Sequence, residues 1–154
     1  VRDARRYSLT LLSQMEVLDP TWSEELRRAV ETLDRPPRGW DRTPDGPAEL
    51  ETLEERWTAY LLYRWTLRAD FDGDLYGKLA LPGMSLLALR ELLLARQLRG
   101  EPGDRSVWTE LARRWAKEIE HCGENLASLW AAASTDPALA PNRLAAAMGK
   151  IVPA

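Results

Sequence analysis

Apolar residues recur along this chain at three- and four-residue spacings, the period of a helix with one buried side. No stretch of useful length alternates apolar and polar positions as a half-buried strand would. Between residues 3 and 18, Ala4, Leu9, Leu11, Leu12, Met15 and Leu18 trace one face, and Asp19-Pro20-Thr21 ends it. Thr21 and Glu24 have the form of a capping box, in which each side chain satisfies a free N–H at a helix start. A second helix is therefore predicted over residues 22–33, with Trp22, Leu26, Ala29, Val30 and Leu33 inward. Residues 34–47 then hold four Pro and two Gly in fourteen positions, and Pro36-Pro37 forces an extended path. This is a surface crossover or a linker, and Trp40 in its middle favours a loop that docks.

From Pro47 the helical period returns. Pro47 suits a first helical position, and Glu49 and Glu51 complement the positive end of the helix dipole. Leu50, Leu53, Trp57, Tyr60, Leu61 and Leu67 mark the core side. From Tyr60 to Leu67 the segment is apolar nearly all round, which predicts burial on several sides. The run Asp70-Phe-Asp-Gly-Asp breaks the helix; it lacks the later bidentate Glu of a calcium loop. A Leu-rich fourth helix is predicted from Pro82 to Leu98, closed by Gly100. A fifth begins near Asp104 or Ser106 and continues to Ala133, with Trp108, Leu111, Trp115, Ile119, Cys122, Leu126, Leu129 and Ala133 on one stripe. The expected architecture is all-α: an orthogonal or irregular bundle of about five helices with a Pro-rich crossover and a short tail. It divides into a helical pair (1–33), the loop (34–47), a helical core domain (48–133) and a tail (134–154) with at best a short helix at 142–148.

Composition narrows the chemistry. The 154 residues carry 21 Lys+Arg against 24 Asp+Glu, a net charge of −3, which argues against a nucleic-acid scaffold. Seven Trp and many Leu exclude a disordered chain. One Cys and one His exclude a disulfide framework, a histidine metal cage, and an iron–sulfur or multi-thiolate cluster built by this chain alone. No run of about 20 apolar residues could span a bilayer, and the charged amino end does not read as an export signal. A cytoplasmic location is expected. Val1 in place of an initiator Met implies a piece of a longer chain or a processed product.

The candidate chemistry lies on the fifth helix. At about 100° per residue, Arg114, Glu118, His121 and Asn125 fall on one flank beside the apolar stripe. Side chains so spaced can touch in series, and a carboxylate beside an imidazole orients it and raises its pKa, a preparation for proton transfer. A solvated flank of i,i+4 pairs would show the same spacing. Cys122 on the stripe reads as a small core residue.

The strings Lys117-Glu-Ile-Glu-His121 and Glu124-Asn125-Leu126 resemble the carboxyl-terminal signature of the flagellin lysine-N-methylase family. Tyr60-Leu61-Leu62-Tyr63-Arg64-Trp65 is similar to that family's Tyr-Leu helix, and the Leu-rich helix lies between the two as in the family. The resemblance spans roughly residues 50–133. It departs at Lys117, where the family often has Arg, and at Ala59, where it has Asn. The family's Cys-rich amino-terminal part, thought to hold a metal or iron–sulfur cluster, has no counterpart here. The resemblance implies S-adenosylmethionine-dependent methylation of protein lysine, with a protein substrate or a separate Cys-rich segment as partner. Glu118, Glu120, His121 and Asn125 would be the catalytic candidates. Tyr60, Tyr63 and Arg114 would bind substrate or cofactor, with Trp57 and Trp65 adding aromatic walls for a methylated ammonium. No Gly-rich strand-to-helix loop exists to hold the cofactor in the usual nucleotide manner.

A second reading is a helical interaction domain without catalysis, binding a partner protein through the Trp-bearing loop around Trp40 and through helix flanks; a third, weaker on charge grounds, is a nucleic-acid-binding regulatory domain. The first requires Glu118, His121 and Asn125 to converge on a hollow opposite Tyr60 or Tyr63. The second requires an exposed hydrophobic patch elsewhere.

Overall fold

The computed structural model describes residues 4–36 and 48–149, and the regular elements among the described residues are all helices, without a strand. The helices are α1 (Ala4–Leu12), α2 (Pro20–Asp34), α3 (Ala48–Trp65), the single turn α4 (Ala69–Asp72), α5 (Leu75–Leu98), α6 (Arg105–Ile119), α7 (Gly123–Thr135) and α8 (Pro141–Met148). Short 3-10 turns occupy Thr66–Arg68 and Pro137–Leu139. The all-α class is as expected, while the helices outnumber the five predicted. No helix among the described residues is long and apolar enough to cross a membrane.

Helix α5 is the axis of the bundle. Leu81, Leu87, Leu89 and Leu92 are wholly buried, and α1, α2, α3, α6, α7 and α8 all pack around it. A helix that is apolar on every side needs neighbours on every side, and its 24 residues, roughly 36 Å long, give them room. It starts seven residues before the predicted Pro82, because Asp74 caps it by accepting from the Gly77 N–H at 2.9 Å. Pro82 therefore sits inside the helix, where its carbonyl also receives the Ser85 hydroxyl at 2.9 Å. Gly100 closes the helix in the left-handed conformation, φ 75°.

Other boundaries moved for equally local reasons. Asp19, rather than Thr21, caps α2: its carboxylate accepts from the Thr21 N–H at 2.9 Å, with Pro20 at the first helical position. Glu24 pairs instead with Arg27. Helix α1 ends at Leu12, and residues 13–19 form a loop rather than another helical turn. The predicted fifth helix is two, α6 and α7, parted at Glu120–Cys122, where Cys122 takes an extended backbone (φ −112°, ψ 103°) ahead of Gly123. Every residue of the predicted 108–133 stripe is nevertheless buried.

Aromatic packing joins α3 to α6. The Trp57 ring meets the Trp108 and Trp115 rings edge-on at 6.1 and 5.5 Å, and its N–H donates to Ser85 Oγ at 3.1 Å. An ion network ties α2 to the end of α5. Glu25 holds Arg96 at 2.8 Å and Arg99 at 3.1 Å, and Arg99 also holds Glu101 at 2.7 Å. Burial pushes the Glu25 carboxyl up, but the two guanidiniums outweigh it and hold it below its ordinary value. Arg99 draws Glu101 down to about 2.

The region expected as a tail packs onto the bundle. Tyr76 donates its hydroxyl to the Leu139 carbonyl at 2.5 Å, Arg5 donates to the Ala147 carbonyl at 2.6 Å, and Arg90 to the Met148 carbonyl at 3.2 Å. Residues 37–47, with Trp40 and Pro47, lie outside the described residues.

Candidate functional site

His121 and Asn125 leave the flank of Arg114 and Glu118 because the helix breaks between them. Past Ile119 the chain turns, so a wheel drawn through the break no longer gives their directions. Arg114 reaches α2 rather than Glu118: its guanidinium donates to Thr21 Oγ1 at 2.9 Å and lies over the Trp22 ring at 5.7 Å. Glu118 and Asn125 are both 2 % exposed and turn inward. Glu118 Oε2 accepts from the Leu18 N–H at 2.9 Å, while its Oε1 is buried without a hydrogen-bond partner among the described residues. Asn125 accepts from the Glu16 N–H at 2.8 Å and donates to the Glu16 and Glu118 carbonyls, each at 2.9 Å. One amide thus satisfies a carbonyl left free at the end of α6 and both backbone groups of Glu16. These two residues latch the 13–19 loop to the α6–α7 junction.

His121 stands in that turn, exposed, while its backbone N–H donates to the Ala116 carbonyl at 3.2 Å. The expected pairings of Glu118 with His121, and of His121 with Asn125, are replaced by the contacts to residues 16 and 18. Cys122 is buried, its Sγ 3.8 Å from a Glu16 carboxylate oxygen.

Glu120 and Tyr60 do meet. The Glu120 side chain, 2 % exposed, accepts from Trp65 Nε1 at 3.0 Å and Tyr60 Oη at 3.2 Å, and pairs with Arg64 Nε at 3.0 Å. The Arg64 guanidinium lies over the Trp65 ring at 5.0 Å, and Arg68 lies over the same ring at 4.9 Å. Burial, then the Glu120 charge, pushes the Tyr60 hydroxyl up. Three donors of the chain itself thus hold the buried Glu120 side chain. Tyr63 takes no part in this cluster; it is 86 % exposed. Trp57 is turned to α6 and Trp65 meets Trp130 edge-on at 5.4 Å, so the four aromatic candidates do not wall one space.

The acidic run after α3 faces a lysine. Lys78, 1 % exposed, holds Asp72 at 2.6 Å and Asp74 at 3.6 Å and sits 4.0 Å from the Trp130 ring centroid. Its hydrogen bond lowers the Asp72 pKa.

Two depressions border these clusters, the first lined in part by Arg114 and Thr21 and the second by Glu16. An open cleft of about 850 Å³ between α2 and α6 is lined by charges of both signs, among them Glu24, Arg28, Glu110, Arg113 and Lys117. A groove of about 460 Å³ is lined by Leu12, Met15, Val17, Trp22, Leu26 and Val30 with polar edges.

The exposed apolar residues around Leu67 were not anticipated from the sequence. Tyr63, Leu67 and Phe71 are 86, 78 and 90 % exposed, and Tyr60, Leu75 and Leu79 are about half exposed beside them in sequence. The all-round apolar character of residues 60–67, expected to be covered by neighbours, marks a face that no described element covers. Tyr63 lies in the last turn of α3, Leu67 in the 3-10 turn and Phe71 in α4. No protein-family model, curated protein or solved structure matches the chain.

Proposed function

We propose that this chain is a helical protein-interaction domain whose partner face is the apolar stripe through Tyr63, Leu67 and Phe71. The observation that carries the reading is that three large apolar side chains at successive four-residue steps stand almost wholly in water. Exposed apolar patches mark association surfaces, and aromatic side chains are enriched among the anchors of interfaces. Of the residues that would have been catalytic, Glu118 and Asn125 are bonded to the chain's own 13–19 loop and Glu120 to residues of α3, while His121 stands exposed.

The test is a variant carrying Tyr63→Ser, Leu67→Ser and Phe71→Ser, followed by urea unfolding and by photo-crosslinking in the native host. Stability within about 0.5 kcal/mol per site, with loss of a discrete crosslinked product formed from position 71, supports the reading. Unfolding of the variant, or an unchanged product, overturns it.

A second reading follows the resemblance to flagellin lysine-N-methylases, with S-adenosylmethionine as donor, protein lysine as acceptor, and a Cys-rich segment as the partner seated on the stripe. The contact of Glu120 with Tyr60, two residues the resemblance singles out, favours it. Its test is methyl transfer to flagellin by the chain mixed with that segment, comparing Glu120→Gln with the unaltered chain. Equal transfer by both removes Glu120 from the chemistry.

A further inference from the structure

We infer that residues 66–73 form a strap closed over Lys78, one that opens as a unit without unfolding of the bundle and so bares a buried ammonium to water. Both feet of the strap are pinned. At the first, Trp65 is 4 % exposed and donates its indole N–H to Glu120 at 3.0 Å. At the second, Asp74 accepts from the Gly77 N–H at 2.9 Å and from Ser134 Oγ of α7 at 2.7 Å. Gly77 permits that approach, because a Cβ there would lie 2.2 Å from Asp74 Oδ2. Between the feet, no residue from 66 to 73 is buried as a whole. A segment that gives no side chain to the core is the kind that opens locally, well below the free energy of global unfolding. Gly73, at φ 72°, makes the left-handed turn that leads from the strap into the second foot.

The strap is tied down from beneath. Lys78, its side chain 1 % exposed, holds Asp72 at 2.6 Å, and the Asp72 side chain is 48 % exposed. The ammonium also lies 3.6 Å from Asp74 and 4.0 Å from the Trp130 ring centroid. The cation is therefore buried, while the carboxylate that reaches it from the strap is open to water. Among the described residues this is the strap's one ion pair; Arg68 instead lies over the Trp65 ring at 4.9 Å, on the first foot. Closure also leaves a defect. Thr66 Oγ1 is buried without a hydrogen-bond partner among the described residues. Such a group costs free energy that hydration on opening would return.

The experiment is acetylation of the full chain with sulfo-N-hydroxysuccinimide acetate, followed residue by residue by mass spectrometry in dilute urea. Lys117, its side chain 60 % exposed, is the internal reference. Lys78 is expected to react more slowly than Lys117, at a rate nearly independent of urea, since a local opening exposes little surface. Asp72→Ala is expected to speed Lys78 about tenfold, the weight of one hydrogen bond to a charged group, and to leave Lys117 unchanged. Thr66→Val, which puts a methyl in place of the unpartnered hydroxyl and alters no charge, is expected to slow Lys78 about threefold. Should Asp72→Ala fail to fold, the Thr66→Val and urea comparisons decide. Acetylation of Lys78 as fast as Lys117 overturns the closed strap. A Lys78 rate that climbs with urea as steeply as global unfolding overturns the separate opening, and so does an equal rate in the unaltered chain and both variants.

Discussion

Residues 118–125 and residues 60–79 reverse the usual placement of polar and apolar side chains. In the first stretch Glu118, Glu120 and Asn125 are buried, each bonded to groups distant in sequence. In the second, Tyr63, Leu67 and Phe71 are in water. The polar side chains of the junction have a purpose inside the fold: without them the free carbonyl of Glu118, the backbone of Glu16 and the N–H groups of Trp65 and Leu18 would be buried with fewer partners. The apolar side chains of the stripe contribute nothing comparable to the core. What a residue does in this molecule follows from what covers it, and charge alone misleads.

Breaking the junction should cost the most. Asn125→Ala removes three hydrogen bonds at once and leaves buried backbone groups unpaired, so a loss of about 3 kcal/mol is expected in urea unfolding. A loss under about 0.5 kcal/mol would show that the loop is not held there. Glu120→Ala strands Tyr60, Trp65 and Arg64, and about 2–3 kcal/mol is expected. Tyr60→Phe, which removes one of the three donors and leaves the carboxylate held by the others, should cost less than about 1 kcal/mol.

A smaller effect is set by pH. Glu101 has its carboxyl held at about 2 in the folded chain against an ordinary 4.5. Because the folded value is the lower one, the stabilisation is complete above 4.5 and lost as pH falls toward 2. Solvent screens this partly exposed group, so the contribution is at most about 1 kcal/mol. Comparing pH 5 and pH 3 unfolding of Glu101→Gln with the unaltered chain isolates it; an identical slope in both would remove the Arg99–Glu101 contact from the account. The least effect on stability belongs to the stripe: Phe71→Ser alone should leave the melting temperature nearly unchanged while weakening association.

Much of the fold was legible. The eight stripe positions from Trp108 to Ala133 are all buried, Gly100 closes α5 and Asp104 caps α6, because each depends on local chemistry readable within a few residues. The candidate site was less legible for a geometric reason. A helical wheel assigns an angle but does not say whether the helix continues, and the break at Glu120–Cys122 turned Asn125 from a presumed surface flank toward Glu16. A wheel is equally silent on which element will cover a given face. Residues 60–67 looked like core because they are apolar, yet α3 gives only Leu61 and Trp65 fully to the bundle there. Pro82 misled in the other direction: a proline that would suit a helix start sits inside α5, since Asp74 offers an earlier cap.

The most direct measurement is oxidative footprinting of the full chain, comparing the purified protein at high dilution with the protein in its native cells. Tyr63 and Phe71 should be oxidised readily when dilute and protected in the cell, while His121 stays equally reactive in both. Protection of His121 with unchanged labelling of Tyr63 and Phe71 would contradict the assignment, and would move the working surface back to the turn between α6 and α7.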